Sequence, residues 1–104
     1  MSSTSLFQGD DARATLATGD SIDVRHFAVR QAMSELFEIE LTVVSRNLDI
    51  DFDGAIGEAA SFALFSKSAP AHWSGVCKEI EQVRVDSEGL ATYRVVLVPR
   101  AWLL

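Results

Sequence analysis

The chain has 104 residues, 48% hydrophobic and 23% charged, which is the length and balance of one globular domain and excludes wholesale disorder. Its formal net charge is −6, and its seven arginines and two lysines are scattered. They make no basic patch of the kind that displaces counterions from phosphates, so neither nucleic acid nor an anionic membrane surface is expected as a partner.

The start, MSSTSLFQGDDARA, lacks a basic stretch followed by an apolar one and does not read as a cleaved leader. Synthesis in the cytoplasm is expected, with any export by a route that needs no such leader. No apolar run approaches the roughly 20 residues that span a bilayer. Met1–Ser5 reads as a frayed end. Leu6–Leu16 has room for a short strand interrupted by Gly9-Asp10-Asp11, and Thr18-Gly19-Asp20 is a turn signal. These first 20 residues are expected to form an N-terminal segment, with 21–104 as the main β domain.

Ile22–Arg30 alternates, with Ile22, Val24, His26 and Ala28 on one side and Asp23, Arg25, Phe27 and Val29 on the other. Neither side is cleanly polar, which predicts partial burial of both. Gln31–Glu35 reads as a short irregular link with room for one helical turn. Leu36–Ser45 is the clearest strand of the first half. Phe37, Ile39, Leu41 and Val43 fall on one face, and Glu38, Glu40 and Thr42 on the other. A one-residue slip would bury two glutamates, so this register is strongly specified.

Asn47–Gly57 is acidic and turn-like. A helical turn over Asp53–Ile56 is expected, with Asp53 as N-cap and Gly57 as its stop. Ala59–Phe65 reads as a strand with Phe62 and Leu64 on one face, and Ser66–Ala71 as a loop. His72–Asp86 and Leu90–Leu103 are two long strand-like runs joined by a turn at Ser87-Glu88-Gly89. Tyr93, Val95 and Leu97 share one face of the second run. Val96 and Val98 on the other face predict that both faces are partly covered. Pro99 ends the ladder because it lacks an N–H. Short strands with little helix indicate a mainly β fold, a small antiparallel β-barrel with at most one or two helical turns. Phe27, Phe37, Ile39, Leu41, Phe62, Val76, Tyr93, Val95 and Leu97 are the expected core.

Each residue capable of chemistry has a simpler structural account. His26 and His72 lie far apart in sequence, and neither has a second ligand at metal spacing. Cys77 lies in a strand with Lys78 directed to the opposite face, so it reads as a buried structural cysteine rather than an activated thiol. Asp49, Asp51 and Asp53 have a glycine at the sixth position of a calcium loop, Gly54, but Ala60 where the twelfth-position glutamate belongs. Glu79 and Glu81 share a strand face and would form a glycosidase pair only inside a sugar cleft, for which no other segment provides. No catalytic, cofactor-binding or metal residue is therefore expected.

The order of the motifs carries more information than any one of them. The stretch Ile22–Ser45, with Val24, Phe27, Ser34, Glu35, Leu36, Phe37, Glu38, Glu40 and Leu41, resembles the opening of the VgrG family. These are spike proteins of the type VI secretion system. Ile56-Gly57 is similar to the family's apolar-Gly pair ahead of the next strand. HWSGVCKEIEQV resembles its His-x-x-Gly-x-Val strand through His72, Gly75 and Ile80. YRVVLVPRAWLL resembles its Tyr-Arg-x-x-Leu-x-Pro-x-x-Trp-Leu-Leu through Tyr93, Arg94, Leu97, Pro99, Trp102, Leu103 and Leu104. Cys77 and Ala28-Val29-Arg30 depart from the family's usual residues.

The resemblance implies the first barrel of a phage tail-hub-like base domain, truncated relative to the full family. It implies a structural, non-enzymatic role with no cofactor. The base would be a homotrimer that adapts the spike to the hexameric Hcp tube and the baseplate for contractile delivery. Effector or adaptor proteins would attach through parts beyond this chain. The protein would be cytoplasmic during assembly and then secreted through the apparatus. The alternative is a free-standing small β-barrel that binds a small apolar ligand.

Overall fold

A computed structural model describes residues 12–33, 36–65 and 70–103. The expectations for Met1–Ser5, Gly9-Asp10-Asp11, the Ser34-Glu35 step and most of the Ser66–Ala71 loop lie outside these residues, as does Leu104. The described residues form six strands: β1 (Ala12–Leu16), β2 (Asp23–Met33), β3 (Leu36–Ser45), β4 (Ala59–Leu64), β5 (Ala71–Val85) and β6 (Ala91–Val98). One helical turn, α1 (Phe52–Ala55), precedes β4, and a 3-10 turn (Arg100–Leu103) follows β6. The strands form one antiparallel sheet in the order β1-β4-β5-β6-β3-β2.

The sheet is curled into a half-barrel. Phe27 on the edge strand β2 meets Phe62 on β4, near the opposite edge, with ring centroids 4.9 Å apart. Strands β1 and β2 approach each other, although among the described residues no ladder joins them. The cause of the curl is legible in the registers. The central β3–β6 pair runs unbroken from Ile39↔Leu97 to Ser45↔Ala91. Each flanking strand carries two shifts with the extra residue on its own side: Arg25 and Ala32 on β2, Lys78 and Val83 on β5. A bulge bends its strand and raises the local twist, so four bulges flanking one regular pair coil the sheet toward one side.

The bulges also correct the reading of β2. Strict alternation puts Val24 and Phe27 on opposite faces and predicts partial burial of both. The bulge at Arg25 reverses the phase, and Val24, Phe27 and Val29 are all buried. The Lys78 bulge does the same for β5, where Cys77 and Ile80 both turn inward and Glu79 and Glu81 outward. All nine expected core residues are buried. Val76 belongs to a separate cluster with Val96 and Val98. Those three are fully buried on the other face of β5 and β6, so both faces of β6 are covered, as its sequence predicts.

Other boundaries shift. Gln31–Met33 continues β2 instead of forming a link, because Gln31 pairs with Phe37 and Met33 with Leu36. The helical turn begins at Phe52 with Asp51 as N-cap, not Asp53. Phe52 packs edge-on against Tyr93, with centroids 6.2 Å apart, and that contact places the turn earlier in the chain. The run after Leu90 is a strand only to Val98; beyond Pro99 it becomes the 3-10 turn. Within 6–16, the described strand is Ala12–Leu16, which pairs with β4 and so joins the common sheet.

Gly75 answers a close approach. A Cβ there would lie 2.2 Å from the Val98 carbonyl oxygen and 3.4 Å from Phe37 Cζ. Gly89, at φ +83°, supplies the left-handed residue of the β5–β6 hairpin. Asp86 closes that turn. Its Oδ1 accepts from the Glu88 N–H at 2.8 Å and the Leu90 N–H at 3.1 Å.

Candidate functional site

Two polar constellations stand out from the apolar core. The first is built around Tyr93, at the inward face of β6. An apolar strand face that presents a tyrosine must satisfy its hydroxyl when the ring is buried. Tyr93 is fully buried, and its O–H donates to the Asn47 carbonyl at 2.8 Å. The same oxygen accepts from the Ile50 N–H at 3.3 Å and from Gln82 Nε2 at 3.2 Å. Gln82 Nε2 also donates to the Leu48 carbonyl at 2.7 Å. One phenol and one amide thus hold the Asn47–Ile50 loop over the end of the half-barrel.

The loop is braced from its other side. Asn47 Nδ2 donates to Asp20 Oδ1 at 2.6 Å, and Thr18 Oγ1 donates to Asp20 Oδ2 at 2.6 Å. Ser45 Oγ, also buried, donates to the Ser21 carbonyl at 2.9 Å and accepts from the Asn47 N–H at 3.1 Å. Asn47 Oδ1 accepts from the Asp49 N–H at 2.9 Å, which is an Asx turn. The alternating aspartates of the sequence therefore decorate a rigid loop. Asp49, Asp51 and Asp53 are exposed around an open cleft of about 540 Å³ shared with Leu48, Phe52 and Gln82. Among the described residues, no three His, Cys, Asp or Glu side chains gather as a metal site.

The second constellation lies on the outer face. Arg94 Nε is hydrogen-bonded to Glu40 on β3, and Arg94 Nη1 lies 3.4 Å from Glu81 and 3.6 Å from Glu79 on β5. The hydrogen bond that Arg94 donates to Glu40, with the surrounding carboxylate charge, raises the Arg94 pKa above its ordinary value. The carboxylates considered as a glycosidase pair are thus two of three anions around one cation on an exposed sheet surface. A pair of this exposure contributes between zero and about 1 kcal/mol. It links β3 to β5 across β6 and sits in no cleft.

Cys77 is fully buried, and burial raises its pKa to about 11. Its Sγ–H donates to the Glu79 carbonyl at 3.3 Å. A protonated, enclosed thiol is not a nucleophile. His26 and His72 are exposed on β2 and β5, which β3 and β6 separate in the sheet. Sequence reasoning missed the Asn47–Gln82–Tyr93 network. Its one usable signal was the tyrosine within the apolar series Tyr93, Val95, Leu97; its partners come from 11 and 46 residues away.

The motif positions have structural work in common. Gly57 takes φ +81° where the chain leaves α1, Gly75 passes against the Val98 carbonyl, Tyr93 holds the loop, and Pro99 follows the last residue of β6. Such a signature encodes a scaffold. No helix among the described residues is long and apolar enough to cross a membrane. The chain is 33% identical over 76 residues to the type VI secretion system spike protein VgrG1b of Pseudomonas aeruginosa PAO1. That stretch is 72% of this chain and 10% of the relative, so the chain spans about a tenth of the curated protein it matches. The phage tail baseplate hub (GPD) family matches residues 30–104, nearly three quarters of the sequence, and the chain belongs to that family, with a VgrG spike protein among its relatives.

Proposed function

We propose that this chain is the first barrel of the base of a type VI secretion spike and that its role is mechanical rather than catalytic. The family match over residues 30–104, on a curled antiparallel half-barrel, carries the reading. The two polar constellations support it, because each braces the scaffold: one pins a loop across the barrel end, the other ties three strands on the outer face.

In this reading the base is a trimer, and two similar barrels per subunit present six units to the hexameric Hcp tube. A threefold object is thereby matched to a sixfold one, since closed rings require the same interface to recur around the axis. Baseplate proteins complete the setting, and effectors or adaptors attach through other parts of the spike. The protein assembles in the cytoplasm and leaves through the contractile apparatus.

The test is to mix the complete spike protein that contains this barrel with Hcp rings and image the mixture by electron microscopy. Spikes seated on the ends of ring stacks are the expected outcome. Rings and spikes that stay separate at high concentration of both would overturn the proposal.

A further inference from the structure

We draw no further inference here: the strongest candidate, the open cleft where the exposed Asp49, Asp51 and Asp53 flank Leu48 beside the β5–β6 hairpin, is an acidic surface at which nothing in the structure shows what covers it.

Discussion

The central pair β3–β6 and the strands that flank it solve different problems with the same kind of residues. Strand β3 alternates without a break, from half-buried Leu36 to buried Ser45, and its ladder with β6 never shifts. Strands β2 and β5 are longer, at 11 and 15 residues, and each loses step twice. A regular pair fixes which face is the core. Irregular neighbours bend that face around on itself, until Phe27 meets Phe62. The half-barrel is thus built from one straight element and two curved ones, and curvature is placed by single extra residues.

Among substitutions, the largest effect should come from cutting the contact that curvature creates. Replacing Phe27 by Ala removes a fully buried ring that packs on Phe62, and a loss of about 3–5 kcal/mol is expected from urea denaturation. Strict alternation from Val24 would instead leave Phe27 on the opposite face. A change within about 0.5 kcal/mol, as for an ordinary surface site, would refute the bulged register.

Next is the bulge itself. Deleting Arg25 makes the start of β2 regular and leaves Val24 two places from Phe27, so Val24, Phe27 and Val29 all stay on the inward face and only the bend is lost. No core side chain changes face, so the chain should stay folded with a loss of about 0.5–3 kcal/mol and little change in the dependence on denaturant. Deleting a residue from β3 offers the contrast. A slip there would bring Glu38 and Glu40 to the core, and no folded protein is expected. Equal tolerance of the two deletions would remove the distinction between the strands.

The same distinction explains what could be read in advance. The β3 boundaries, the turn at Gly89 and the core positions on β3 and β6 follow from alternation and turn chemistry, which are local. The phase change at Arg25 has no local mark. Arg25 is neither glycine nor proline, and the bulge is favoured because Val24, Phe27 and Val29 can all be buried only if the strand loses step. The end of β2 is illegible for the same reason, since its pairing with β3 settles Gln31–Met33 as strand. At the candidate site, the exposure of Glu79 and Glu81 was legible, while their attachment to Arg94 required the strand order. The pinned loop was illegible for a different reason. Hydrogen bonds from one phenol to groups 43 and 46 residues away depend on the curl that the bulges produce.

Tyr93→Phe isolates that dependence, because the ring stays and only the hydroxyl goes. Tyr93 sits on the unbroken strand, while Gln82 immediately precedes the Val83 bulge. Removal leaves the Asn47 carbonyl and Ile50 N–H without their phenol partner, at an expected cost of about 1–3 kcal/mol. Amide exchange should accelerate in residues 47–53 and stay unchanged in β3. Uniform acceleration along both segments would mean that the hydroxyl supports the whole barrel rather than its end.

The smallest effect is confined to alkaline solution and tests the inward side of the Lys78 bulge. Burial raises the Cys77 pKa from 9.0 to about 11; the hydrogen bond to the Glu79 carbonyl opposes the rise and the Glu79 charge adds to it. The thiol is neutral when protonated, so the folded chain keeps a proton that the unfolded chain surrenders. Its contribution to stability is fully present below pH 9.0 and is lost as pH rises to about 11. Cys77→Ala should therefore show a shallower fall in stability across that window than the parent chain. Parallel curves would show that Cys77 titrates alike in both states and is open to water, so that the bulge at Lys78 does not enclose it. A difference limited to the alkaline window would tie one extra residue in β5 to one side chain turned inward.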